Sequence, residues 1–307
     1  MLVSPDRRPS RASTRQRIRI ASRLLGAMAD WPSRIRLVRL KLREKVGAAS
    51  GADAPVPLRL RPLGGRVLHV RPGTSDTGVI VHNYLKGAHP FAHRDLRRIC
   101  ELGSNVGIAL AGFAVRHPKA QLLGVEADPE NAALARRNLA QFDDRCTLVE
   151  AAVWDREAEL VLEGDRADLR FVREARDGDP PGARIPARTV DALLAEHMPD
   201  GPIDFMHLSI EGSEPRVLTG DIGWIDRVRS IRVEIHPNGF TADACLAALQ
   251  RCGFEAWVDP STGEHGLGVR PSVARQRRRD MVQGRDTSET VRDPSQARPR
   301  SRASRAP

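Results

Sequence analysis

The sequence predicts an α/β fold built on a mostly parallel sheet, and three observations carry that prediction. From Arg98 onward, short apolar stretches alternate with amphipathic ones, the pattern of successive βαβ units. A glycine-bearing turn, Glu101-Leu102-Gly103-Ser104-Asn105-Val106-Gly107, sits where one strand hands over to a helix. The next strand ends on an acidic residue, Glu126, at the edge where open α/β sheets bind their ligands.

Residues 1–22 are rich in Arg and Ser and read as a disordered basic N-terminus. Over residues 23–47, Leu24, Leu25, Met28, Trp31, Ile35, Val38 and Leu42 recur at three- and four-residue steps among Arg and Lys. Asp30 with Pro32 gives a start signal and Gly47 a stop. This reads as one basic amphipathic helix, either packed on the main domain or lying on an anionic membrane surface. The Ala/Gly/Pro-rich stretch 48–62 reads as a linker. The main domain then runs over residues 63–270. Residues 66–71 alternate as a strand, and Pro72–Asp76 form a turn. Strands follow at 98–102, 121–126, 147–153, 203–210 and 230–235. Helices fall at 106–117, 129–142, 190–196, from 215, and at 242–252, where Gly253 closes the last. Residues 155–184 read as a hairpin with a loop, and 254–258 with 266–269 as a final hairpin. Beyond Pro271 the Arg/Ser/Pro/Gln composition reads as a disordered basic tail.

The net charge of +10 is unevenly placed. Residues 1–50 hold 13 basic and 3 acidic side chains, and residues 271–307 hold 10 and 4. The stretch 51–270 therefore carries 26 basic against 32 acidic residues, a net of −6. A nucleic-acid enzyme places its positive charge on the folded face that tracks phosphates, so the acidic body argues against a nucleic-acid partner. The four cysteines, Cys100, Cys146, Cys245 and Cys252, are scattered without a C-x-x-C pair or zinc-type spacing. They read as buried reduced thiols, and no metal site is expected. No apolar run reaches the roughly 20 residues of a membrane span, and no secretory signal is visible. A cytoplasmic protein is expected, or one held peripherally at the inner face of the membrane through residues 23–46.

At the glycine turn a ligand approaches bare backbone, where a Cβ would collide. A dinucleotide site would carry G-x-G-x-x-G. Here Glu101 occupies the place of the first of those glycines. A carboxylate repels pyrophosphate but suits the ammonium of a methionine moiety. Glu126 can accept from both ribose hydroxyls of a nucleoside, and Asp128-Pro129-Glu130-Asn131 starts a helix facing the same crevice. The plainer readings are a glycine turn of any α/β protein and an exposed strand-end carboxylate.

These residues, followed by GVEADPENAALARRNL, TVDALL (Thr189–Leu194), HLSIEGSEPRVLTG (His207–Gly220) and VEIHP (Val233–Pro237), resemble the FkbM-type S-adenosylmethionine-dependent methyltransferases. VRPGTSDTGV (Val70–Val79) is similar to that family's first segment, and the likeness spans roughly residues 66–260. The resemblance implies a Rossmann-like class I methyltransferase fold, with a mostly parallel seven-stranded sheet and helices on both faces. It implies S-adenosyl-L-methionine as cofactor and methyl transfer to a hydroxyl of a sugar, glycan or natural-product acceptor. It carries cofactor roles to Glu101, Gly103, Asn105, Gly107 and Glu126, and acceptor-side roles to Glu211, Glu234 and His236. There is a departure: the family's Lys-Ile-Asp-x-Glu-Gly motif keeps Glu211 and Gly212, while His207 and Ser209 replace the Lys and Asp.

An alcohol is a poor nucleophile at neutral pH, so a base near the methyl group is expected. His236, at the end of a central strand, is the first candidate, with an unperturbed pKa of about 6.5. The plainer reading makes it a strand-end hydrogen bonder. Glu211 is a second candidate, for orienting the acceptor or taking a proton, and His207 a third, unless it is a buried core histidine. Two other functions remain open on sequence: a scaffold that binds cofactor without turnover, and a nucleic-acid methyltransferase. The second lacks an aromatic after Asp179-Pro180-Pro181 and lacks a Pro-Cys pair.

Overall fold

The computed structural model describes residues 14–47, 53–85, 96–164, 170–180, 183–220, 222–236, 239–259 and 265–270. All belong to one compact unit, Met1–Arg270. The expected disordered end at 1–13 and tail at 271–307 lie outside the described residues.

The N-terminal region departs from expectation twice. In place of one helix over 23–46 there are two, α1 (Thr14–Ala27) and α2 (Trp31–Lys45), so residues 14–22 are helical. The break has a local cause. Met28 bridges to Leu60, and the Ala29 N–H donates to the Arg59 carbonyl. Asp30 then caps a new helix by accepting from the Ser33 N–H at 2.8 Å, with Pro32 in the first turn. The supposed linker holds a strand, β1 (Val56–Leu60), paired antiparallel with β2 (Arg66–Val70). Its alternating Leu58 and Leu60 are fully buried, as are Leu37 and Leu40 of α2. Each such side chain contributes roughly 1.5–3 kcal/mol on burial, so the folded body begins well before residue 63.

The chain continues through α3 (Asp76–Ile80), β3 (Arg98–Leu102), α4 (Ile108–Arg116), β4 (Gln121–Glu126), α5 (Pro129–Leu139) and β5 (Cys146–Glu150). Next come β6 (Ala152–Val153), β7 (Ala158–Glu163), β8 (Phe171–Glu174), β9 (Arg184–Arg188), α6 (Val190–His197), β10 (Phe205–Leu208) and α7 (Glu214–Thr219). The last elements are β11 (Ser230–Glu234), α8 (Ala242–Arg251), β12 (Glu255–Val258) and β13 (His265–Val269). The main sheet has seven strands in the order β12-β13-β11-β10-β3-β4-β5. β11 through β5 run parallel, and the β12–β13 hairpin is antiparallel. This is the Rossmann-like, mostly parallel seven-stranded sheet that the sequence predicts. From β3 the chain winds outward to β5, then returns to build β10 and β11 on the other side. The strand order therefore reverses between β3 and β10, which opens a crevice at their carboxyl ends.

One sheet face is apolar, carrying Cys100, Leu102, Met206, Leu208, Ile231 and Val233. The pairing puts Glu101 beside His207, His207 beside Arg232, and Glu234 beside His265 on the opposite face. A smaller sheet, ordered β6-β9-β7-β8, stands over the end of β4 and β5. β9 was not foreseen, because Pro186 interrupts its strand pattern.

Candidate active site

The turn after β3 is wrapped onto β4 by two backbone bonds, from Gly103 N–H and Ser104 N–H to the Val125 carbonyl, each 2.9 Å. Gly103 has φ +87°, and a Cβ there would lie 1.7 Å from the Ser209 carbonyl oxygen. The glycine is thus required by the neighbouring strand end as well as by any ligand. Asn105 takes φ +46°. Its N–H donates to Glu126 Oε2 at 2.7 Å, while Asp128 N–H and Asn131 Nδ2 donate to Oε1 at 3.0 and 3.3 Å. Burial holds the Glu126 pKa above its ordinary value, against those donors. A carboxylate has about four acceptor sites, so Glu126 retains capacity for a ligand's hydroxyls. Gly103, Glu126, Asp128, Asn131, Val153 and Phe171 are among the residues lining a crevice at this edge of the sheet.

Of the residues proposed from sequence for the cofactor, Gly103 and Glu126 line this crevice; Glu101, Asn105 and Gly107 do not. Glu101 alternates to the polar face of β3. There it is 2% exposed and its Oε1 meets His207 Nδ1 at 3.1 Å. Burial pushes its pKa up to about 8, against the Leu110 N–H, Arg232 and Arg116. Asn105 serves the crevice through Glu126. Gly107, at φ +74°, lets α4 pack on Ala135 and Leu139 of α5.

The acceptor side is built around Glu214, which is fully buried. Its carboxylate accepts from the Ile210 N–H at 2.8 Å and the Gly212 N–H at 2.9 Å, and from His236 Nδ1 at 2.8 Å. This clamp holds Glu211 at φ +53°. Glu211 and Asn105 are the two non-glycine residues with positive φ among the described residues, and such backbone costs about 1–3 kcal/mol unless its surroundings enforce it. His236 Nε2 lies 3.6 Å from Glu211 and 3.9 Å from Glu234. Burial alone would lower the His236 pKa. The Glu214 hydrogen bond and the charges of Glu214, Glu234 and Glu211 outweigh it and push the pKa up to about 9. These carboxylates thus favour the protonated form of His236 more than an unperturbed imidazole would. Burial raises the Glu211 pKa, His236 opposes this, and Glu234, Glu214 and Glu126 add to it. His207 is held well below its ordinary pKa by burial and Arg232. It lies in the polar layer beneath the edge rather than in the crevice.

A family model described as the methyltransferase FkbM domain matches residues 101–256, just over half of the 307 residues. The chain belongs to the FkbM methyltransferase family. A search of curated proteins returns no match. Among solved structures, a methyltransferase from Geobacter sulfurreducens is 15% identical, with 82% of this chain and 96% of that one covered, at a TM-score of 0.38. Aeropyrum pernix fibrillarin, in complex with natively bound S-adenosyl-L-methionine, is 12% identical over 70% and 93%, at 0.38. The precorrin-6y C5,15-methyltransferase of Geobacter metallireducens is 13% identical over 58% and 82%, at 0.35.

Several side chains of this FkbM domain escaped sequence reasoning. Arg71, 6% exposed, pairs with Asp76 at 2.9 Å and reaches both Asn131 and Asn105, bracing the two segments that present Glu126. Arg170 meets Asp128 at 2.9 Å at the crevice wall. Glu211, Phe171 and Val172 line both this crevice and a second, more open cleft, where Trp154, Asp155, Arg216 and Thr219 join them. The Arg216 guanidinium sits 4.5 Å over the Trp154 ring and bonds Asp155 at 3.0 Å. The sequence placed Arg71 at the end of a strand and Asp76 in the turn after it, within the segment similar to the family's first, but gave neither a role. Trp154 carried no local motif, and Arg216, inside the His207–Gly220 motif, was given no role.

Proposed function

We propose that this protein is an S-adenosylmethionine-dependent O-methyltransferase acting on a hydroxyl of a sugar, glycan or natural-product acceptor. The observation that carries this reading is the junction at Glu211, where the crevice lined by Gly103 and Glu126 meets the cleft of Trp154, Asp155, Phe171 and Arg216. Apolar rings beside hydrogen-bonding groups suit an acceptor with a ring and hydroxyls. Bound S-adenosylmethionine supplies a methyl group on a sulfonium. Glu126 accepts from the ribose hydroxyls, and Gly103 lets the bare backbone approach. Glu211, at the junction, takes the proton of the acceptor hydroxyl as the oxygen attacks. His236, held cationic by Glu214, orients the Glu211 carboxylate; the geometry thus favours Glu211 over His236 as base. Alignment of the two reactants across the junction supplies the remaining gain.

The test is incubation of the full chain with methyl-labelled S-adenosylmethionine and a panel of sugars, glycans and polyhydroxylated natural products, with O-methyl products read by mass spectrometry. Label found only on nucleic acid or protein would sink the acceptor class. Tight S-adenosylhomocysteine binding without transfer to any acceptor would favour the non-catalytic alternative.

A second observation bears on where the protein works. Six of the eight large exposed hydrophobics among the described residues lie on or beside α1 and α2: Ile18, Trp31, Ile35, Val38, Leu42 and Val46. Arg36, Arg39, Lys41, Arg43 and Lys45 surround them, also exposed. α2 thus packs one stripe on β1 and presents another to solvent. We infer that this face rests on anionic lipid, each cation near the surface adding about 1 kcal/mol. No helix among the described residues is long and apolar enough to cross a membrane. Co-sedimentation with phosphatidylglycerol vesicles, weakening with salt, is expected; equal binding to phosphatidylcholine, or none to either, would refute it.

A further inference from the structure

The polar face of the sheet carries a group of side chains that methyl transfer as derived above does not use. His207 on β10, Glu234 on β11 and His265 on β13 come from three neighbouring strands. Each offers one ligand atom, and these atoms all lie within 4.8 Å of one another. His207 and His265 are buried, and their rings lie 6.4 Å apart between centroids. Glu234 is one-third exposed at the carboxyl edge, where its Oε2 meets Ser209 Oγ at 2.5 Å. We propose that His207, Glu234 and His265 form a binding site for a first-row divalent transition metal of the zinc type.

Three features beyond proximity support the assignment. The donor set is right: two imidazoles and one carboxylate bind zinc in open sites that keep a further position for water or substrate. Zinc–nitrogen and zinc–oxygen bonds of about 2.0–2.2 Å require each side chain to close inward by less than about an ångström. The surroundings are also right. Metal-ligating histidines commonly pass their second ring nitrogen to a carboxylate that fixes tautomer and orientation. Here His207 Nδ1 lies 3.1 Å from the buried Glu101, which directs Nε2 as the ligating nitrogen. This gives Glu101 a role that the cofactor crevice does not. Finally, the charge suits a cation: the carboxylates of Glu101, Glu234 and Asp259 share this layer with the guanidinium of Arg232, whose Nη2 is 3.7 Å from Asp259, and a buried cation is held where carboxylates face it. Scattered in sequence at 207, 234 and 265, the ligands have no motif spacing, which is why the sequence showed no metal site.

The assignment stands apart from the acceptor class proposed above and is tested without turnover. The full chain is stripped with chelator and titrated with Co(II), read by visible absorbance, and with Zn(II), read by calorimetry and by elemental analysis after dialysis. One equivalent per chain is expected, with the absorption of four- or five-coordinate Co(II). Glu101→Gln should weaken affinity about 10- to 100-fold, as loss of a carboxylate behind a ligating histidine does. Glu234→Gln, at a partly exposed position, should weaken it at least as much. An unchanged thermal unfolding midpoint and far-UV circular dichroism in both variants will show that they are folded. Sub-stoichiometric binding by the wild type, or wild-type affinity in a His207→Asn/His265→Asn double variant that still binds S-adenosylhomocysteine, would overturn the proposal.

Discussion

The two halves of the sheet's carboxyl edge are built on different principles. The half over β3, β4 and β5 is made largely of backbone. Gly103 and Ser104 are tied to Val125, Asn105 and Asp128 donate N–H groups to Glu126, and Gly103 has no room for a side chain. The half over β10, β11 and β13 is made of ionisable side chains that hold one another: Glu101 with His207, Glu214 with His236, Ser209 with Glu234. A backbone cradle recognises a fixed cofactor by shape and is intolerant of change. A side-chain network can be retuned one residue at a time, which suits the half that meets a variable acceptor.

Substitutions in the two halves should therefore fail differently. The largest effect is expected at Gly103. In Gly103→Val the new Cβ would fall 1.7 Å from the Ser209 carbonyl oxygen at φ +87°, so β3 and β10 cannot keep their present edge. Loss of more than about 4 kcal/mol of stability is expected, read as a collapse of the thermal unfolding midpoint. A Gly103→Val protein that melts like the wild type and binds S-adenosylhomocysteine normally would mean that the turn is drawn wrongly. Next in size is Glu211→Gln, on the other half. It keeps the side-chain shape and removes the proton acceptor, so kcat should fall by about 10²–10⁴ with the acceptor that the panel identifies. Affinity for S-adenosylhomocysteine should stay within a few-fold. A parallel loss of both would place Glu211 in cofactor binding instead.

Glu126→Ala should show the opposite split. Two hydrogen bonds to a charged acceptor are removed, each worth about 1.5–3 kcal/mol, so S-adenosylhomocysteine affinity should fall roughly 100-fold or more by calorimetry. The variant also strips the acceptor from the Asn105 and Asp128 N–H groups, so a lower melting temperature should accompany it. Unchanged affinity would leave Glu126 as a strut for the turn alone.

The same contrast explains what the sequence disclosed. The strands of the parallel sheet were legible because each is a short apolar run next to a helix with its own cap, such as Asp128 or Thr189. The cofactor half was legible because its geometry is written in contiguous residues: a glycine turn, then a strand ending on Glu126. The Glu101–His207 contact was not legible, because a motif gives position along the strand, while the pleat decides the face, and the pleat sends Glu101 to His207. β1 was taken for linker because Pro57 and its Ala/Gly/Pro neighbours masked the alternation of Leu58 and Leu60. The acceptor half stayed largely hidden. The His236 charge depends on Glu214, 22 residues away in another element, a pairing that no local spacing encodes, and the clamp of Glu214 on the Ile210 and Gly212 N–H groups, though local, belongs to no motif of known geometry.

The smallest expected effect distinguishes the two histidine roles within the acceptor half. If Glu211 must be ionised to take the acceptor's proton, activity falls as pH drops through the Glu211 pKa. Burial and the neighbouring carboxylates raise that pKa, so the acid limb of kcat/KM should lie above the ordinary carboxylate value near 4.3. His236 is the neighbour that pulls the other way, its cation favouring the ionised carboxylate. His236→Asn keeps a hydrogen-bond donor toward Glu214 but removes that cation. The limb should then move to higher pH, with activity recovered once pH exceeds the new value. A His236 that served as the base would behave differently: its asparagine variant would lose turnover at every pH, and no shifted limb would appear. The displacement is modest beside the loss expected at Gly103, yet its direction alone separates a residue that accepts the proton from one that only sets the charge of its neighbour.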